Sequence, residues 1–269
     1  MPTDTPMTGA RLSYYLFPHQ DDEFATLQCM RNELAEGHSV KVIYLTSGNY
    51  NNVDPEVRNR ESRYVLQSIG VVEDDIIFLG TELAIDDGAL EQALSSVWPH
   101  LLECLSTHGT PDRIVMPAWE GGHQDHDATH LLGVCLAQRL GIVADCAQVP
   151  LYHGYRTGWW FYRVRDPLPA NGRIEYVAIP WAERWRSVRL FFCYPSQWKT
   201  WLGLAPFAVL QTLFRGRETL QPVSTERIHQ PPHPGRPLYE QRGRARWAET
   251  NAAHQRFLES ANLTLEPGQ

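Results

Sequence analysis

The stretch LSYYLFPHQDDEFATLQCMRNELAEG, residues 12–37, decides the fold. Its first six residues form a short apolar run of strand type. Residues 23–36 then place Phe24, Leu27, Met30 and Leu34 on one helical face, with Gly37 positioned to close the helix. A strand followed by an amphipathic helix is the repeating unit of parallel α/β sheets. The unit recurs along the chain. Residues 40–45 read as a second strand, and 55–69 as a helix opened by Pro55 and closed by Gly70. Residues 75–79 read as a third strand, 89–107 as a helix, 113–116 as a fourth strand and 127–140 as a helix ending before Gly141. The expected fold class is α/β, a Rossmann-like, mostly parallel sheet flanked by helices. Residues 11–150 make its core, and 151–260 form a C-terminal extension that completes the fold and shapes the substrate pocket, in one domain overall.

Composition narrows the classes of function. The chain has 269 residues, 43% hydrophobic and 20% charged, which is ordinary for a globular protein with a sizeable core. A net charge of -7 argues against a nucleic-acid partner, which needs a clustered basic surface. No segment reaches the roughly 18 to 20 apolar residues of a membrane span. The polar N-terminus lacks the basic and apolar regions of a signal peptide. The five cysteines are scattered without a C-x-x-C pair, so reduced thiols and a cytoplasmic location are expected.

The pattern changes after Pro150. Residues 174–179 read as a strand and 181–192 as a helix. Residues 198–214 are apolar and aromatic, with Pro206 expected to kink or split a helix there. Two readings stand for this segment: a core or oligomer-contact helix, or a lid or surface that makes interfacial contact with a membrane or a greasy substrate. The run Trp159-Trp160-Phe161 adds a second aromatic cluster.

The chemistry concentrates in two places. Pro18-His19-Gln20-Asp21-Asp22-Glu23 follows the first strand, and His123-Gln124-Asp125-His126 follows the fourth. Ligands of open parallel sheets bind outside the carboxyl ends of the strands, where both clusters fall. A catalytic metal site wants three nitrogen or oxygen ligands, an open position and a nearby carboxylate to accept a proton from water. Two adjacent aspartates are costly unless a cation neutralises them or one holds a proton. With a metal present, one of the two ligates and the other serves as base. Alternatively, Asp21-Asp22-Glu23 only supplies negative charge to a helix N-terminus. His126 completes a ligand triplet with His19 and Asp22. That leaves His123 to protonate a leaving group or stabilise an oxyanion, with Asp125 setting its tautomer. His130, one helical turn beyond His126, is a rival ligand. Gly121-Gly122 allows a close backbone approach. No H-E-x-x-H, G-x-S-x-G or Walker pattern is present.

These residues carry a resemblance. Pro18-His19-Gln20-Asp21-Asp22-Glu23 resembles the P-H-P-D-D-E motif of the PIG-L/LmbE-like deacetylases, and His123-Gln124-Asp125-His126 resembles their H-x-D-H motif. Thr46-Ser47-Gly48, Arg58-Asn59-Arg60-Glu61 with Ile69-Gly70-Val71, and Asp87-Gly88 resemble further family segments in the same order. Tyr194-Pro195-Ser196-Gln197 faintly resembles a late one. One departure is Gln20, where the family has proline. The resemblance implies a zinc-dependent hydrolase that removes an acetyl group from an N-acetylated sugar or sugar conjugate. It implies His19, Asp22 and His126 as metal ligands and Asp21 as general base. His123 stabilises the intermediate or protonates the amine, Asp125 orients His123, and Arg58 and Asp87 contact the sugar. Iron, cobalt or nickel would accept the same ligands. Two rivals are kept: a hydrolase of a longer N-acyl chain on a glycoconjugate or lipid-linked substrate, and a non-catalytic, metal-containing carbohydrate binder. The expected partner is a small-molecule N-acetyl sugar or glycoconjugate, and oligomers are allowed.

Overall fold

The structure, a computed structural model, describes residues 9–49, 53–157 and 162–263, with backbone alone at 199–202 and 205. The first half follows the βα rhythm. Its elements are β1 (Leu12–Phe17), α1 (Leu27–Ala35), β2 (Ser39–Tyr44), α2 (Pro55–Ser68), β3 (Ile76–Ile77), the one-turn α3 (Leu79–Glu82), α4 (Leu90–His108), β4 (Arg113–Pro117), α5 (Gln124–Leu140) and β5 (Ala147–Val149). The second half adds the short antiparallel pair β6 (Tyr152–His153) and β7 (Arg163–Val164). It continues through β8 (Glu175–Ala178), α6 (Trp181–Phe191), α7 (Trp198–Leu210), β9 (Arg217–Pro222), α8 (Leu238–Gln241) and α9 (Trp247–Ser260).

The central sheet has seven strands in the order β3-β2-β1-β4-β5-β9-β8. The first five run parallel, and β9 and β8 join antiparallel at one side. Alternate residues of β1 serve opposite faces, as a strand's two-residue period requires. Tyr14 and Leu16 pack with Leu94, Leu101 and Leu132 of α4 and α5, while Tyr15 and Phe17 pack with Leu27, Met30 and Val65 of α1 and α2. Helices therefore cover both faces, and the sheet's centre is dry on both sides. The expected α/β class with a mostly parallel sheet holds.

Several boundaries differ from the sequence reading, each for a local reason. The helix expected over 23–36 begins at Leu27, because residues 22–25 form a 3₁₀ turn and Thr26, at φ -138° and ψ 13°, is not helical. The third strand keeps only Ile76–Ile77, since the chain turns at Phe78 into α3. The helix expected from residue 127 begins at Gln124, capped by the His123 side chain. The second histidine cluster is thus the first turn of a helix rather than a loop. Pro206 sits inside α7 without ending it, and the irregularity falls later, in a π-type turn at Gln211–Arg215 before Gly216. Trp159-Trp160-Phe161 lies outside the described residues.

Candidate active site

Strands β1 and β4 are neighbours at the middle of the sheet, so their carboxyl ends bring together residues about a hundred positions apart. His19 Nε2 lies 3.0 Å from Asp125 Oδ2, across 106 residues of chain. On the other side of the same ring, His19 Nδ1 lies 3.3 Å from Asp22 Oδ2. Asp22 Oδ1 in turn stands 3.5 Å from His126 Nε2. Asp87 enters from the segment before α4, with Oδ1 3.5 Å from His19 Nε2 and 3.6 Å from His123 Nε2. His19, Asp22, His123, Asp125 and His126 are all buried.

The local backbone serves this convergence. Asp21 adopts φ 122°, ψ -15°, a conformation that a non-glycine residue holds only at a cost of about 1–3 kcal/mol. Its N–H donates to Glu23 Oε2 at 2.8 Å, and the other Glu23 oxygen takes the Tyr194 hydroxyl. Arg58 is buried beneath the same turn. Its Nη2 donates to the Gln20 carbonyl at 2.7 Å and its Nη1 to the Gly48 carbonyl at 2.6 Å. The guanidinium also stands 3.6 Å from Asp21 Oδ1 and 3.7 Å from Asp87 Oδ2. Gln20, in place of the family's proline, turns inward and donates to Asn59 Oδ1 at 2.8 Å. On the opposite rim, a Cβ at Gly122 would stand 1.9 Å from the Tyr152 carbonyl oxygen, so glycine permits the strand–loop approach there.

The electrostatics follow from burial and crowding. Burial pushes His126 down to about 4 and His123 well below the usual imidazole range, the latter helped by His19 and His126. Burial acts in the same direction on His19, yet Asp87, Asp125 and Asp22 outweigh it and raise that imidazole. Asp22 is lowered because His126 and His19 outweigh burial, whereas Asp21 is raised by burial against the opposing charge of Arg58. The His123 tautomer is set by the helix start. Its Nδ1 accepts the Asp125 backbone N–H at 3.2 Å, which leaves the proton on Nε2, facing the crevice side occupied by Asp87.

Among the described residues, two groups of side chains have the spacing to hold a metal ion: His19, Asp22 and His126, and His19, Asp87, His123 and Asp125. The first fits better. Both His126 nitrogens are buried without a hydrogen-bond partner, a costly state that a cation would relieve. In the second group, Asp125 is already engaged: Oδ1 by Leu90 N–H at 3.1 Å, Oδ2 by Gly88 N–H at 2.6 Å and by His19. A neutral imidazole pair with one carboxylate suits zinc or another divalent transition metal.

Next to these groups opens a cavity of about 380 Å³, within the range of small-molecule sites. Asp21, Asp22, Asp87, His19, His123 and His126 line one end. The far walls come from the second half of the chain, with Tyr152, Tyr162, Phe191 and Leu204 on its apolar side and Arg242 and Arg244 at the rim.

All eight residues given a role from the sequence meet here; Asp125 differs in placement from expectation, and Arg58 and Asp87 make further contacts. Asp125 is hydrogen-bonded to His19, and its carboxylate stays 3.8 Å from His123 Nδ1; the backbone N–H of Asp125, not its side chain, orients His123. Arg58 is a buried brace as well as a cavity residue. Asp87, expected as a sugar contact, lines the cavity and also stands beside His19 and His123. His130 points elsewhere, its Nδ1 against the Pro117 carbonyl at 2.8 Å and its ring against Trp119. Sequence reading missed Tyr152, whose ring packs edge-on to His126 at 5.2 Å, and the arginines of the rim. None of them carries a local motif.

Fold and site together define an α/β protein with a buried histidine–aspartate cluster at the carboxyl ends of a parallel sheet. Residues 14–136 match the model of the PIG-L family, described as GlcNAc-PI de-N-acetylase. Solved structures share the fold. The A40926 pseudoaglycone deacetylase is 17% identical, with a TM-score of 0.58 over 79% of this chain and 96% of that one. A deacetylase of the teicoplanin biosynthesis pathway is also 17% identical, with a TM-score of 0.57 over 78% and 97%. The N,N'-diacetylchitobiose deacetylase of Pyrococcus horikoshii is 15% identical, with a TM-score of 0.55 over 83% and 87%. A comparison with curated proteins found no match.

Proposed function

We propose that this protein is a metal-dependent hydrolase that removes the acetyl group from an N-acetylated sugar or sugar conjugate. The observation that carries the reading is the unpartnered, buried His126 facing Asp22 and His19 at the end of a substrate-sized cavity, with the carboxylate of Asp21 beside them. The structural neighbours that are deacetylases and the family description point the same way.

His19, Asp22 and His126 hold the ion, with zinc the metal their chemistry favours. When bound, a divalent ion acts as a Lewis acid toward a carbonyl oxygen and makes water a better nucleophile at neutral pH. Asp21 takes the proton from water as its oxygen attacks the acetamide carbon. His123, neutral and protonated on Nε2, donates a hydrogen bond to the oxygen on which negative charge develops. The tetrahedral intermediate collapses with cleavage of the C–N bond, and the proton held by Asp21 passes to the departing amine. Acetate and the free amino sugar result. Asp125 acts through His19, holding its ring by the Nε2 hydrogen bond. Arg58 and Asp87 flank the sugar end of the cavity. In this reading residues 11–150 supply the chemistry, and 151–260 supply the walls that select the substrate.

A longer N-acyl group is the second reading, favoured by the apolar wall of Phe24, Phe191, Leu204 and Ala208. The test is hydrolysis of N-acetylglucosamine conjugates beside longer N-acyl analogues, before and after chelation and zinc restoration. Acetate release that is lost with chelator and regained with zinc is expected. Cleavage of the longer analogues alone would transfer the assignment to the second reading. One metal per chain without turnover on any substrate would make the protein a metal-containing carbohydrate binder.

A further inference from the structure

Among the described residues, seven of the eleven exposed large apolar side chains fall in residues 181–214. Trp181 and Trp185 of α6 and Phe192 just beyond it are 61%, 48% and 77% exposed. Their spacing of four and seven residues keeps them along one stripe of a helix. Phe207, Leu210 and Phe214 recur at three and four residues along α7 and the turn that ends it, and are equally open, Phe214 at 80%. Arg184 ties the two runs together. Its guanidinium lies 5.3 Å from the Trp181 ring centroid, and its Nη1 donates to the Leu213 carbonyl beside Phe214 at 2.9 Å. Monomeric proteins seldom leave so much apolar surface in one place without a partner.

The charge of the segment identifies that partner. Residues 181–215, the span of that face, contain five Lys and Arg against one Glu, a net charge of +4 in a chain whose total is -7. We propose that the face formed by α6, α7 and the turn after α7 docks on an anionic lipid surface. Tryptophan, phenylalanine and leucine interleaved with arginine and lysine is the composition of helices that lie in the interfacial plane of a bilayer. Each basic residue held near an anionic membrane adds to the attraction. The mode is lying on the surface rather than crossing it: α7 has 13 residues, and no helix among the described residues is long and apolar enough to span. A second copy of this face is a poor occupant, because two patches of the same charge repel. The segment also supplies Phe191, Leu204 and Ala208 to the cavity wall, so docking would set the cavity beside the lipid boundary.

The test is co-flotation of the full chain with vesicles of phosphatidylcholine alone and of phosphatidylcholine mixed with phosphatidylglycerol. Binding to the mixed vesicles only, weakened by salt, is expected. Phe207→Ser with Phe214→Ser, and separately Arg186→Gln with Arg189→Gln, should each weaken it by about tenfold or more. All four positions are exposed and none lines the cavity, so both pairs should fold and retain turnover on a water-soluble substrate. Tryptophan fluorescence quenched by nitroxide-labelled lipid provides a second readout on the unmodified protein. Flotation with neither vesicle, or flotation unaffected by both pairs, would overturn the proposal. So would a concentration-dependent dimer abolished by the phenylalanine pair. None of the binding readouts uses deacetylation, so the two readings fail separately.

Discussion

Glu23 holds Asp21 in place: one oxygen of its buried carboxylate accepts the Asp21 N–H at 2.8 Å while the other engages the Tyr194 hydroxyl. A residue at φ 122° persists only where its surroundings over-determine it, and Glu23 restrains that turn together with Arg58. The strained aspartate is the one assigned as general base.

Substituting Glu23→Gln therefore tests positioning. The amide keeps one acceptor but loses the charge-assisted bonds. Turnover should fall by about tenfold to a hundredfold with KM and metal content nearly unchanged. Metal analysis beside steady-state kinetics separates the outcomes, and loss of the ion in this variant would show that Glu23 supports the ligands instead.

Direct removal of the base gives a sharper split. Asp21→Asn should cost about 10²–10⁴ in turnover and leave the metal bound. His19→Ala, Asp22→Ala and His126→Ala should each lose the metal as well, as measured by elemental analysis of the purified variants. Equal metal loss in all four would mean that Asp21 is a ligand.

Arg58 is predicted to act first on stability. It is 2% exposed and joins the Gln20 and Gly48 carbonyls, so Arg58→Met strands two buried acceptors and leaves Asp21 and Asp87 without their countercharge. A loss of about 3–5 kcal/mol in denaturant unfolding is expected. If Arg58→Lys instead raised KM at full stability, the side chain would be a substrate contact and not a brace.

Much of this arrangement was legible in the chain, and the limits have physical causes. The span of β1 matched its sequence reading because an apolar run buried on both faces has little freedom to shift. The two clusters were found because each is contiguous. Their roles depended on what lies opposite, which sequence does not display. Asp125 is close to His123 along the chain, and its carboxylate nevertheless meets His19 across 106 residues. The conformation of Asp21 was invisible as well, since it arises from the return of the Glu23 side chain. Tyr152, Arg242 and Arg244 reach the cavity from segments whose path is set by tertiary packing alone.

Glu120 provides a test by pH. Its Oε1 accepts the N–H groups of Leu151 and Tyr152 at 2.7 and 2.8 Å, and burial pushes its carboxyl up to about 8. The folded value exceeds the unfolded one, so the folded state binds the proton more tightly. This contribution to stability is complete below the unfolded value, near 4.5, and is lost as pH rises through 8. Glu120→Gln should reduce the fall in stability over that window by up to about 1.4 kcal/mol per pH unit. Denaturant unfolding across the pH series would show it, and an unchanged slope would sink the assignment.

The sheet's strand order has one more consequence. β5 and β9 are hydrogen-bonded neighbours, yet the chain leaves after one and returns only at the other, and Tyr152, Tyr162, Val164, Phe191, Leu204 and Ala208 of the cavity all lie on that excursion. Its two anchor points are fixed by the ladder, so the parts of the excursion that line the cavity can vary without moving β1 or β4, provided Tyr194, which holds Glu23, stays in place. Such a layout lets selectivity diverge between relatives while the reacting groups stay still, and it marks the excursion as the piece to exchange in a chimera.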